Sequence, residues 1–165
     1  MDASQQLQSL SRLHELFGRH GIEYWLFGGW AVDFHAGVIT RAHVDVDLAV
    51  WAKEHDRIAA LLMDEDWTYA PEPGEDGYTG YERDGVRLEL AFLAQGETGE
   101  IYTPLREGRG SWPDHAFGND VAELGGVHAR VISLDALRAD KGEVKDDRAV
   151  AEKDSVDLAT LSRLR

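Results

Sequence analysis

The chain has 165 residues, 43% of them hydrophobic and 29% charged, enough to bury one core and unlike the composition of a disordered segment. Asp and Glu total 31 against 17 Lys and Arg, a net charge of −14; this argues against sequence-independent nucleic-acid binding, where cations must neutralise phosphates. The same surplus suits plain solubility or a cationic small-molecule partner. There is no cysteine, which excludes disulfides, thiolate zinc sites, iron–sulfur clusters and a cysteine nucleophile. No apolar stretch approaches the ~20 residues that span a bilayer, and residues 1–6 lack the basic-then-apolar order of a leader. The expectation is a cytoplasmic protein with no membrane association.

In chain order, Ser4 is placed to cap a first helix whose face carries Leu7, Leu10, Leu13, Leu16 and Phe17, with Gly21 ending it. Tyr24 to Phe27 reads as a short buried strand feeding Gly28-Gly29, and Trp30 to His35 as a helix ending at Gly37. Asp45 to Val50 begins by alternating acidic and apolar residues, a strand pattern, and a helix from about Lys53 to Met63 follows with Ile58, Ala59, Leu61 and Leu62 as its stripe. Asp84-Gly85 is a two-residue hairpin signal joining a strand near 78–83 to one at 86–93. In the second of these, Arg87, Glu89 and Ala91 share one face.

After Leu93 the chain turns loop-rich, punctuated by Gly and Pro as far as Gly118. Val127 to Ile132 reads as a last strand, Ser133 as the cap of a helix reaching Lys141, and 148–164 as a terminal helix with Val156, Leu158, Ala159 and Leu161 for packing. The fold expected is α/β or α+β, a mixed sheet with helices, divided into a core over residues 1–132 and a C-terminal helical region over 133–165.

The chemistry concentrates at Gly28-Gly29, Asp45, Asp47 and Glu89. Strand alternation puts Asp45 and Asp47 on one face roughly 6–7 Å apart at Cα. Two such carboxylates repel, and an intervening divalent cation resolves the repulsion. Glu89, on the matching face of a neighbouring strand, could complete an all-oxygen site that suits Mg²⁺ rather than zinc. Solvent-facing acids alternating along a strand are the plain alternative. A glycine pair between strand and helix lets backbone N–H groups approach a phosphate under the helix dipole, although a lone Gly-Gly is usually only a turn. The seven histidines show no metal spacing, His20, His35 and His43 being scattered among different elements. Trp25, Phe27 and Trp30 read as core or pocket floor.

The run Trp25-Leu26-Phe27-Gly28-Gly29-Trp30-Ala31-Val32-Asp33, followed by Thr40-Arg41-Ala42-His43-Val44-Asp45-Val46-Asp47, resembles the signature of the aminoglycoside and lincosamide nucleotidyltransferases. Within the DNA polymerase β-type superfamily it is most similar to the aminoglycoside 2''-adenylyltransferase-like branch. The likeness is strong over about 22–50 and looser beyond, where Glu89, Gly125-Gly126, Lys141, Lys153, Asp154 and Asp157 carry it.

The resemblance implies a twisted mixed sheet flanked by helices, and ATP or another nucleoside triphosphate as donor. Asp45 and Asp47 would hold Mg²⁺, Gly28 and Gly29 would contact the phosphates, and Glu89 stands where the superfamily frequently has Asp, as metal ligand, general base or both. Arg41 would steer the triphosphate or fix Asp33 or Asp45, and Lys141 would reach the triphosphate. Lys153, Asp154 and Asp157 read as a solvated helix face. Trp112, Tyr102 and His115 lie where an acceptor pocket is often built. The function expected is transfer of a nucleoside monophosphate to a hydroxyl of a small cationic acceptor such as an aminoglycoside or lincosamide, conferring antibiotic resistance, with a homodimer completing the acceptor site. The alternatives are a minimal nucleotidyltransferase that modifies a protein hydroxyl, as in toxin–antitoxin pairs, and a non-catalytic nucleotide-binding domain.

Overall fold

The computed structural model describes residues 2–165. Helix α1 (Ala3–Arg19) turns Leu10, Leu13, Leu16 and Phe17 into the core. Its cap is Asp2, whose carboxylate accepts from Ser4 N at 3.0 Å; Ser4, expected as the cap, lies inside the first turn because the acid two residues earlier reaches the free N–H first. Strand β1 (Tyr24–Phe27) runs directly into α2 (Gly28–Ala36), so the two glycines belong to the helix's first turn rather than to a turn before it. Gly28 takes φ +67°, and Gly37 closes the helix in the left-handed region at φ +69°.

Strand β2 (Val46–Trp51) starts one residue after Asp45, and a single 3₁₀ turn (Ala52–Glu54) leads into α3 (His55–Asp64), which buries Ile58 and Leu62. A two-residue strand β3 (Thr68–Tyr69) precedes the hairpin of β4 (Tyr78–Arg83) and β5 (Val86–Gln95). Asp84 and Gly85 both have positive φ, 50° and 78°, the geometry of a turn whose twist matches the flanking strands.

The sheet order is β1-β2-β5-β4-β3, with β2 and β5 parallel and the other pairs antiparallel. The region expected to be loop holds three further strands. β6 (Ile101–Pro104) and β7 (Arg109–Ser111) extend the sheet from β5, and β8 (Val121–Leu124) pairs with β9 (Val127–Arg130) as a separate hairpin. These strands are three or four residues long and flanked by Gly and Pro, too short to carry a readable alternation.

Ser133 caps α4 (Leu134–Gly142) by accepting from Ala136 N at 3.2 Å. The terminal helix α5 (Arg148–Leu161) packs on α4 and α2. Of the four residues expected to pack it, only Leu161 is buried; Val156, Leu158 and Ala159 face outward, and Asp154 and Asp157 are buried in their place. The core joins α1, α2, α3 and the sheet through side chains such as Trp30, Leu26, Leu48, Leu88 and Leu62, each buried aliphatic side chain contributing about 1.5–3 kcal/mol. Among the described residues no helix is long and apolar enough to cross a membrane.

Candidate active site

Asp47 pairs directly with Glu89 across the parallel β2–β5 ladder and with Phe27 on the other side. Asp45, at the entry to β2, points to the same face. One carboxylate oxygen from each of Asp45, Asp47 and Glu89 lies within 4.8 Å of the others, the one group of at least three potential metal ligands among the described residues. Burial, then the charges of Asp45 and Glu89, hold the Asp47 carboxyl well above the usual range. Burial also raises Glu89, opposed by the hydrogen bond from Arg87 and helped by Asp45. An all-oxygen set of this kind, only partly compensated by Arg87, fits a hard divalent cation such as Mg²⁺.

Gly28 is there because nothing larger fits: a Cβ on it would collide with the Asp47 carboxylate, and its positive φ disfavours a side chain in any case. At Gly29 a Cβ would collide with the Arg41 guanidinium and the His43 ring. The start of α2 is thus pressed against the acid cluster on one side and a basic side chain on the other.

Arg41 does not fix Asp33 or Asp45. Its Nε and Nη2 donate to the two oxygens of Asp157 at 2.7 and 2.8 Å, and its Nη1 donates to Ala42 O at 3.1 Å. The hydrogen bonds to Asp157 raise its pKa above the usual arginine value. Asp33, fully buried on α2, instead accepts from Thr40 N at 3.1 Å, from Thr40 Oγ1 at 2.5 Å, and faces His43 Nε2 at 2.6 Å. Because Arg41 Nη1 can only donate to His43 Nδ1 (3.1 Å), Nε2 is the nitrogen that donates to Asp33.

Lys141 donates to Asp154 Oδ1 at 2.7 Å and lies 3.4 Å from Asp157 Oδ2. Burial alone would lower its pKa, but Asp154, Asp157 and Asp140 outweigh burial and raise it. Asp154 and Asp157 therefore form a buried acidic pair that holds two cations at the site, not a solvated face; Lys153 alone of that trio is exposed. Arg87 donates to Glu89 Oε1 at 3.1 Å and to Ala70 O at 3.1 Å, with Glu72 and Glu82 at 3.3 and 3.5 Å.

Two hollows flank the line from Asp47 to Lys141. The smaller, about 170 Å³, is lined by Gly28, Gly29, Arg41, Asp45, Asp47, Lys141 and Lys153 among others. The larger, about 410 Å³, sets Phe27, Trp112 and Pro113 opposite Lys141 and Lys145. Trp112 is fixed by its Nε1 donating to Thr103 Oγ1 at 2.9 Å and by an edge-on contact with Phe27. Tyr102 and His115 do not line this cleft: Tyr102 is covered by the Arg109 guanidinium at 3.9 Å, and His115 is exposed in a loop. Sequence reasoning missed the roles of Asp33, Asp154 and Asp157, and missed Lys145 altogether. A buried acid was signalled by Asp33 standing alone in an apolar helix; nothing local marked the others.

A strand–diglycine–helix unit facing three convergent acids on or beside two adjacent strands is the arrangement the site presents, and a family-wide sequence pattern matches the chain over residues 9–161. The chain belongs to the aminoglycoside-2''-adenylyltransferase family. It is accordingly a nucleotidyltransferase. No curated protein matches it in sequence. Among solved structures it is similar to the lincosamide antibiotic adenylyltransferase LnuA in its lincomycin-bound form, with a TM-score of 0.75 and 19% identity over 96% of this chain and 97% of that one. ANT(2'')-Ia in complex with adenylyl-2''-tobramycin superposes with a TM-score of 0.71 and 17% identity over 95% of this chain and 90% of that one. The solution structure of the same enzyme also gives a TM-score of 0.71, at 17% identity, over 98% and 86%. At these identities the likeness establishes the shared fold.

Proposed function

We propose that the protein transfers AMP from ATP to a hydroxyl of a small cationic antibiotic, an aminoglycoside or a lincosamide, with Mg²⁺ held by Asp45, Asp47 and Glu89. The observation that carries this reading is the direct Asp47–Glu89 pairing, with Asp45 within 4.8 Å, beside a glycine that leaves room for nothing larger. Mg²⁺, when bound, neutralises charge on phosphate oxygens and orients them for in-line displacement.

The chain's own residues do the rest. In the smaller hollow the triphosphate meets the N–H groups at the start of α2, Lys141 and Lys153, beside the Asp45 and Asp47 carboxylates whose charge the cation would offset. The larger cleft takes the nucleoside, because its wall of Phe27 and Trp112 suits a base. The acceptor approaches Glu89 from the side where Glu72 and Glu82 surround Arg87, an acidic rim that draws cations. Glu89, raised by burial and kept in place by Arg87, accepts the hydroxyl proton as the acceptor oxygen bonds to the α-phosphorus. The α–β bridging P–O bond breaks and pyrophosphate leaves past Lys141, with no covalent enzyme intermediate.

The test is incubation with ATP, MgCl₂ and a panel of aminoglycosides and lincosamides, read by mass spectrometry. The expected result is a drug heavier by one AMP. A chain that binds ATP but adds mass to none of the drugs contradicts the antibiotic half of the reading and leaves protein hydroxyls as the acceptor class.

A further inference from the structure

The segment between α2 and β2, residues 37–45, contains no helix or strand, yet it ends in Asp45 and leads straight to Asp47. Side chains hold it instead. Thr40 and His43 are tied to Asp33 on α2, and Arg41 is tied to Asp157 on α5, 116 residues away in sequence. Gln6 on α1 donates its Nε2 to His43 O at 3.2 Å, and the Arg41 contact spans the longest stretch of chain. Its planar fork spends Nε and Nη2 on Asp157 and turns Nη1 to Ala42 O and His43 Nδ1, and Gly29 supplies the gap in which the guanidinium lies. One cation therefore locks the segment's backbone, its histidine and the terminal helix together.

We infer that Asp157 is a positioning residue for the metal-binding carboxylates, acting through Arg41 on the segment that carries Asp45; this rests on the metal reading proposed above. Asp157 is fully buried, and its Oδ2 also lies 3.4 Å from Lys141 Nζ. A buried ion pair is a poor stabiliser, since desolvation offsets most of its attraction, but a bidentate carboxylate–guanidinium pair fixes direction as well as distance. Groups that orient metal ligands from behind in this way set how well a cation is held. Asp154, about one helical turn earlier on α5, separates the two duties: it accepts from Lys141 and not from Arg41.

The experiment is titration of nucleotide-free protein with Mn²⁺, following free Mn²⁺ by electron paramagnetic resonance, together with the Mg²⁺ dependence of turnover. Asp157→Asn is expected to weaken Mn²⁺ binding by about 10- to 100-fold and to raise the Mg²⁺ requirement, without changing KM for the acceptor. Asp157→Glu restores part of the loss, and Asp154→Asn weakens Mn²⁺ binding by less than Asp157→Asn does. If Asp157→Asn does not fold, Arg41→Lys decides alone, because it keeps a charge opposite Asp157 and loses only the fork; it is expected to show the same weakening. A folded Asp157→Asn or Arg41→Lys protein with wild-type Mn²⁺ affinity overturns the inference, as does an equal loss in Asp154→Asn, which would mark general loosening of α5. A wild-type chain that takes up no Mn²⁺ overturns the metal reading and this inference together.

Discussion

Two groups of buried or half-buried acids sit within the same site and behave in opposite ways. Asp45, Asp47 and Glu89, on or beside β2 and β5, crowd one another with Arg87 bonded only to Glu89 among the three, and Asp47 is pushed well up in pKa. Asp154 and Asp157, on α5, each meet a cation at 2.7 Å. The first group repels itself. The second is neutralised within the chain and converts charge into geometry. Carboxylates thus crowd one another on and beside the strands and pair with cations on the helix, and the surroundings decide which.

The sharpest way to break this contrast is Asp47→Asn. Several kcal/mol of charge stabilisation on the reacting phosphates depend on the metal, so at about 1.4 kcal/mol per tenfold the loss of turnover is on the order of 10³ or more. Metal-free stability should move the other way. The folded pKa of Asp47 lies above its unfolded value. Its contribution to stability is therefore fully present below the ordinary carboxylate pKa and is lost as pH rises through the raised value. Thermal unfolding in EDTA should show the wild type falling behind Asp47→Asn as pH climbs from acid to neutral. A difference independent of pH contradicts the crowding.

Lys141→Gln tests the other group. A hydrogen bond to a charged partner is worth about 1.5–3 kcal/mol, so KM for ATP should rise roughly 10- to 150-fold, and stability at neutral pH should drop because Asp154 loses its partner. A rise in stability would show that the helix acids are as crowded as the strand acids. The smallest effect is expected at Trp112→Ala: aromatic stacking beyond area burial is worth about 0.5–1.5 kcal/mol, so KM for ATP should rise roughly 2- to 10-fold with KM for the drug unchanged. The reverse pattern would place the acceptor, not the nucleoside, in the larger cleft.

The strand acids were legible in the sequence and the helix acids were not, for a physical reason. Asp45, Asp47 and Glu89 sit in short-period patterns beside apolar runs, the Asp84-Gly85 turn sets the pairing of β4 with β5, and Ser133 announces α4. Each of these signals is local. Asp157 is paired with a residue 116 positions away, and on its own helix it looks like any solvated acid; the helix stripe expected at Val156, Leu158 and Ala159 faces water because the inward positions are taken by Asp154, Asp157 and Leu161. The short strands β6, β7 and β8 were hidden by their Gly- and Pro-rich neighbours, and with them the support behind Trp112.

In the reading proposed above, Asp45 at the entry to β2, Asp47 on β2 and Glu89 on β5 hold the divalent cation beside the diglycine start of α2. Crystals grown with MnCl₂ and a non-hydrolysable ATP analogue, measured for anomalous scattering at the manganese edge, test it most directly. The expected result is a peak in direct contact with oxygens of Asp45, Asp47 and Glu89, with phosphate oxygens completing the shell at distances near the roughly 2.0–2.1 Å of Mg²⁺. A peak elsewhere, or nucleotide bound with no metal between these side chains, contradicts it.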